Sequence, residues 1–381
     1  MNRRFVGLVA GTAILALSAT ACGGGSNATT ASNGNSSGKP DTAVSVADLG
    51  GMDKLVAAAK AEGELNVITL PHDWANYGEI LDAFKNKYGL KINETNPEGT
   101  SQDEINAVKQ LKGQNRAPDV LDLGGAFALS ATKDGLLAPY KVATWADIPD
   151  TQKDTAGNWF NDYGGFISIG YDAAKVPNPP KSFADLKKPE YAGKIALNGD
   201  PTKAGAAFAG VYAAALANGG SFDDIKPGIQ FFADLKKAGN FIPVSANAAT
   251  IESGQTPITV DWDYLEAGYA KKLTGKVDWK VTVPSDGVYS NFYCQAISKT
   301  APHPAAARLW EEFLFSDEGQ NLWLKGQSRP VRLPKMTAAG TADKAAVAAL
   351  PQVSNDVKFP TNDQIDAAKK VVAAEWAKAL G

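Results

Sequence analysis

Two carboxylates flank an indole in Asp261-Trp262-Asp263-Tyr264, and a similar set, Asp73, Trp74, Asn76 and Tyr77, lies near the other end of the chain. Carboxylates pair with ammonium groups through charge-assisted hydrogen bonds. Aromatic faces attract cations at roughly 0.5–2 kcal/mol per contact. Acids on either side of a ring make a poor core, so this chemistry points to a site for a cationic or metal-like ligand. One wall would carry Trp74, Tyr77 and Phe127, the other Asp261, Trp262, Asp263 and Tyr264, with Asp73, Tyr163 and Tyr289 beside them. An anion has two candidate seats. One is Asn198-Gly199-Asp200-Pro201-Thr202 at a helix start, through free backbone N–H groups. The other is Ser328, Arg329 and Arg332, if that loop returns to the same cleft.

Catalytic signatures are absent. There is no G-x-S-x-G, H-E-x-x-H, G-x-x-x-x-G-K-[ST] or G-x-G-x-x-G pattern. With two His and two Cys in 381 residues, a Cys/His zinc site or a Cys–His nucleophile has almost nothing to draw on. No catalytic residue, resident metal or cofactor is expected. Formal net charge is −3, and the first 21 residues contribute Arg3 and Arg4 without an acid. A mildly acidic body with no basic block is a poor partner for nucleic acid.

The elements that must position these groups alternate between strand and helix. Residues 64–70 read as a strand. Tyr77, Ile80, Leu81, Phe84 and Tyr88 then make one apolar helical face closed by Gly89. A strand at 91–94, a capping box Ser101–Glu104 opening the next helix, a strand at 119–123 and a helix ending near Gly135 continue the pattern. The β-rich run 159–171 leads to a second alternating region. There, strands fall at 194–197, 241–244, 257–261 and 279–283. A helix at 201–216 carries Asp200 as N-cap and Pro201 as its first residue. Residues 290–298 form another long strand, 304–325 one amphipathic helix, and 362–380 the last helix. Repeated β-α-β units imply a mainly parallel sheet with helices on both faces. The fold class expected is α/β, two lobes joined by two crossing segments, with a helical C-terminal tail. In such sheets ligands collect at the carboxyl ends of strands.

The amino terminus reads as an address. Arg3 and Arg4 precede an apolar run too short to span a bilayer, then small residues and Cys22. It resembles a bacterial lipoprotein signal peptide, in which the Cys is lipidated. The Gly/Ser/Asn/Thr-rich segment that follows reads as a flexible tether. With Cys22 lipidated, Cys294 is the remaining thiol and no internal disulfide is expected; it reads as a small buried residue.

The body resembles a known family. Asp73–Tyr77, Ala117-Pro-Asp-Val-Leu-Asp-Leu-Gly124, Phe183–Leu186 with Pro189–Ile195, Thr256–Tyr264, and Ser316–Gln320 are similar to the extracellular solute-binding proteins of ABC importers. The branch is the one with ferric-iron, polyamine, thiamine and aminoethylphosphonate binders. The resemblance implies a type II periplasmic-binding-protein-like fold that closes on its ligand by hinge motion. It divides the chain into a signal peptide (1–21), tether (22–45), first lobe (46–165), second lobe (166–289), and a return with C-terminal helices (290–381). It implies capture of a small polar solute and delivery to a membrane permease driven by a separate ATPase. The protein would be a monomer held outside the cytoplasm by the lipid on Cys22. An organic cation such as a polyamine or thiamine is favoured; Fe(III) and phosphonates are alternatives. Iron binders use an adjacent Tyr pair, and here Tyr289 and Tyr293 stand four apart. From other classes, a secreted hydrolase or a tethered sensor module would have the same outline.

Overall fold

The computed structural model describes residues 38–351 and 359–381. The expected signal segment, Cys22 and most of the tether lie outside the described residues. From residue 38 the chain is fixed to the body. Gly38 donates to the Asp48 carbonyl at 2.7 Å and Lys141 to that of Val44 at 2.8 Å. The Arg308 guanidinium donates to the carbonyls of Ala43 and Asp41. Residues 38–45 therefore belong with the body rather than the tether.

The first lobe contains α1 (Met52–Glu62), β1 (Glu64–Ile68), α2 (Tyr77–Tyr88), β2 (Lys91–Thr95), α3 (Ser101–Gln110), β3 (Val120–Gly124), α4 (Gly125–Lys133) and β4 (Leu137–Ala138). The long strand β5 (Phe160–Asp172) crosses to the second lobe. That lobe holds β6 (Ile195–Leu197), α5 (Gly205–Ala217), α6 (Lys226–Lys237), β7 (Phe241–Ser245), α7 (Ala248–Glu252), β8 (Ile258–Trp262), α8 (Asp263–Lys272) and β9 (Trp279–Thr282). Strand β10 (Ser290–Ser298) returns. It is followed by α9 (Pro304–Leu314), α10 (Asp317–Lys325), β11 (Arg329–Pro330), α11 (Leu333–Ala339), α12 (Lys344–Ala349) and α13 (Asn362–Leu380).

The main sheet has the order β3-β10-β5-β8-β6-β7, and β1 pairs with β2 in a small sheet of their own. Strand β5 is the join. Its first half pairs with β10, ending at Phe166 opposite Ser290. Its second half pairs with β8, beginning at Ile167 opposite Trp262. The expectation of a mainly parallel sheet gives way to a mixed one. One strand leads out and one leads back side by side, so β5 and β10 must be antiparallel. Among the strands of the described residues, the parallel pairs are β1–β2, β6–β7 and β6–β8.

Three helix boundaries also differ from expectation. The capping box of α3 is Thr100 with Asp103, one residue earlier than Ser101 with Glu104. Helix α5 begins at Gly205, not at Pro201, because Asp200 is used on a turn and accepts from the N–H and hydroxyl of Thr202. The single helix expected at 304–325 is two, α9 and α10, because Ser316 turns its hydroxyl onto Gly319 N and restarts the helix. Helix α5, GAAFAGVYAAALA, is apolar all round and is buried from Ala206 to Ala215.

Candidate functional site

A cavity of about 550 Å³ lies between the lobes. It is bounded by the carboxyl ends of the parallel strands β1, β2, β6 and β7, where an α/β sheet exposes its loops and helix starts. The first lobe supplies Thr69, Asp73 and Trp74 from the β1–α2 loop, residues 97–101 from the β2–α3 loop, Glu104 of α3 and Asp122 of β3. The second supplies Asn198 and Gly199 after β6, the start of α5, residues 245–249 around the start of α7, and Leu265, Tyr269 and Lys272 of α8. Tyr293 of β10 lies on the floor.

The lobes touch around this cavity. Gln102 N donates to the Lys203 carbonyl at 3.3 Å. Asp73 pairs with Lys272 across the gap at 2.5 Å. Gly124 and Gly205 meet backbone to backbone. A Cβ on Gly205 would lie 3.1 Å from Gly124 Cα and 3.0 Å from the Tyr293 hydroxyl, so any side chain here must push its neighbours back by a few tenths of an ångström.

Loop backbone at the site is strained. Thr69, Ala75, Asn76 and Asn96 all have positive φ, and all belong to the two first-lobe loops beside the cavity. For a β-branched Thr this is a costly conformation, and such strain gathers at functional sites. The start of α5 also faces the cavity, so its unpaired N–H groups and the positive end of its dipole are available to an anionic group, whereas at α3 the N–H groups of Gln102 and Asp103 are taken by Lys203 and Thr100.

The aromatic groups are ordered by hydrogen bonds. Trp74 Nε1 donates to the Tyr163 hydroxyl at 2.7 Å, and that hydroxyl donates to Asp122 Oδ2 at 2.6 Å. Tyr293 packs edge-on against Trp74, with centroids 5.5 Å apart, and parallel to Tyr163. Burial pushes the Asp122 carboxyl up to about 7, against the opposing hydrogen bond from Tyr163. Glu104 is raised well above the usual carboxylate range, by burial first and then by the charge of Asp122.

Of the residues singled out in the sequence, Asp73 and Trp74 line this cavity. Tyr163 stands behind Trp74, fully buried. Tyr77 is also fully buried, and its hydroxyl accepts from Gln295. Asp261, Trp262, Asp263 and Tyr264 are core, with at most 2% exposure. Their acids are tolerated there because they are satisfied. Asp261 accepts from Trp262 N and Asn198 Nδ2. Asp263 pairs with Arg329 at 2.7 Å and accepts from the N–H groups of Phe166 and Tyr264. Phe127 and Tyr289 are buried on the far side of the Gly124–Gly205 contact. Arg329 is thus committed to Asp263, Arg332 to Asp147 and Asp317, and Ser328 to the Trp323 carbonyl, so none of the three serves the cavity.

Sequence reasoning passed over Glu104, Asp122, Tyr269 and Lys272. A signal for two of them was present. Glu104 falls on the buried face of α3 with Ser101, Ile105 and Val108, and Asp122 interrupts the apolar strand VLDLG. A charge on a core-facing position is informative where a surface charge is not.

Residues 115–367, more than half of the chain, match the family of bacterial extracellular solute-binding proteins. The thiamine-binding periplasmic protein of Brucella abortus is 30% identical over 157 residues, covering 39% of this chain and 45% of that one. The chain thus spans about half the length of the curated relatives it matches. In three dimensions it is similar to AfuA of Actinobacillus pleuropneumoniae, solved with exogenous fructose-6-phosphate bound. That match has 18% identity and a TM-score of 0.65, over 83% of this chain and 98% of that one. It is also similar to iron-bound HitA of Pseudomonas aeruginosa, with 20% identity and a TM-score of 0.59 over 83% and 99%. At these identities the likeness concerns the fold, which is that of the two-lobed periplasmic binding proteins. Fold, cavity position and sequence match agree, and the chain belongs to the bacterial extracellular solute-binding proteins.

Proposed function

We propose that this protein is the substrate-binding component of an ABC importer, capturing a small polar solute between its lobes and passing it unchanged to a membrane permease driven by an ATPase. The observation that carries this reading is the cavity itself: of ligand size, walled by both lobes and lined by Trp74, Tyr269 and Tyr293 among acidic groups. We take residues 46–165 and the return from 290 as one lobe and 166–289 as the other, with β5 and β10 as the crossing segments. Lipid on Cys22 would hold a monomeric receptor outside the cytoplasm.

An organic cation is favoured over an anion. Asp73, Glu98, Glu104 and Asp122 line the cavity, whereas its one lysine, Lys272, is paired with Asp73. The thiamine-binding relatives fit this preference. Fe(III) is less well served. The tyrosines that line the cavity, Tyr269 and Tyr293, are not the adjacent pair that iron binders of the resembled family use. A phosphate-bearing solute is a second reading, supported by the start of α5 at the cavity.

The test is a thermal-shift screen with thiamine, polyamines, ferric citrate, phosphonates and sugar phosphates. A ligand at 100 times its Kd adds about 2.7 kcal/mol of stability, and mass spectrometry should recover it intact. A panel without any response, or a ligand recovered chemically altered, overturns the reading.

A further inference from the structure

Two buried carboxyl groups in the cavity wall each lack half of their hydrogen bonds. Glu104 is fully buried; its Oε2 accepts from Asp122 N at 2.9 Å, while Oε1 has no partner. Asp122 is 5% exposed; its Oδ2 accepts from Tyr163, while Oδ1 has no partner. Thr69 Oγ1, on the strained β1–α2 loop of the same lobe, is also unpartnered. All three residues line the same cavity. Buried polar atoms are usually satisfied, and although orphans also occur away from the cavity, both carboxyl oxygens of Glu311 among them, these three fall on residues that line one cavity, where a ligand can meet them. Neither carboxyl is paired with a Lys or Arg among the described residues, although the structure satisfies the equally buried Asp263 in that way with Arg329.

We propose that Glu104 and Asp122 are the specificity residues of this site, receiving a hydrogen-bond-donating nitrogen of the solute, either a protonated amine or an amino group on a ring, with Thr69 Oγ1 as a further acceptor. The assignment rests on reading the cavity as a solute site and adds the class of solute. Chemistry favours a nitrogen donor over an acceptor. Two adjacent acids repel when ionised, and a cation between them relieves that repulsion and serves both open oxygens at once. The aromatic faces of Trp74 and Tyr293 beside the pair suit the same cation.

The experiment is isothermal titration of the full chain with matched pairs that differ in a donor nitrogen: thiamine and oxythiamine, putrescine and 1,4-butanediol, 2-aminoethylphosphonate and ethylphosphonate. At least one nitrogen donor should bind about tenfold or more tightly than its partner, since a site built for a donor rejects the analogue lacking it. Glu104→Gln and Asp122→Asn should each erase most of that gap. Glu104→Gln keeps the shape of the neutral acid, so its melting curve should match wild type. Thr69→Val, remote from the acid pair's own hydrogen bonds, should narrow the gap if either acid variant fails to fold. Equal affinities within every pair, or a gap that survives all the substitutions, overturns the assignment. If only fructose 6-phosphate or ferric citrate binds, the solute reading stands and this assignment falls; if nothing binds, both fall.

Discussion

Asp261 and Asp263 lie two positions apart, and both are wholly buried, yet they are held differently. Asp263 has a cation; Asp261 has only Trp262 N and Asn198 Nδ2 as donors, and burial pushes its carboxyl up to about 7. Its folded-state value thus lies above that of the unfolded chain. The folded protein keeps a proton that the unfolded chain has lost between about pH 4 and 7. The stability this contributes is complete below that window and is lost as pH rises through it, by an amount on the order of 4 kcal/mol. Asp261→Asn should therefore gain on wild type as pH rises: urea unfolding at pH 5 and pH 8 should show the variant's relative stability increasing by a few kcal/mol. Parallel curves for the two proteins would show that Asp261 is ionised in the native state. The same pair marks what was legible in the sequence. Residue types correctly suggested acids beside aromatics, but burial of Asp263 depends on Arg329, 66 positions away. No local pattern shows that partner, so two satisfied core acids looked like a site.

Elements were more legible than the residues they carry, because periodicity is local and partners are not. The faces of α2 and α3 and the long runs that became β5 and β10 stand close to where hydrophobic patterning puts them. Strand direction was not legible, since β5 and β10 read identically whichever way they pair. The break between α9 and α10 was missed because apolar spacing continues through it; one side chain decides it. Ser316 accepts from Gly319 N at 3.2 Å and donates to the Phe313 carbonyl at 2.6 Å, closing α9 and opening α10 together. Ser316→Ala should cost about 1 kcal/mol in chemical denaturation. Ser316→Asp should recover most of that, since a carboxylate can accept the same N–H and favours the helix start. Unchanged stability in the alanine variant would mean that packing of Phe315 and Trp323, whose rings meet edge-on, is sufficient to set the break.

At the scale of the whole molecule, capture requires the lobes to part and meet again, and their meeting place is narrow. Gly124 and Gly205 are in backbone contact with the Tyr293 hydroxyl beside them, and Gly205 and Tyr293 line the cavity. Protein interiors do not deform smoothly to admit an extra group; a side chain here must displace one lobe from the other. Gly205 is the first residue of α5 and does not have positive φ, so a substitution acts through contact rather than backbone strain. Gly205→Val should leave the ligand-free protein with nearly its native melting temperature if the lobes part at this contact in the absence of ligand. Closure should suffer instead. Small-angle scattering should show wild type contracting on addition of the best ligand of the thermal-shift screen, and the variant contracting less. Affinity should fall with it, since a ligand held by one lobe leaves its other face in water, and Gly205→Ala should lie between the two. Full contraction and undiminished affinity in the valine variant would mean that the lobes close about some other contact, and that the glycine pair merely fills space.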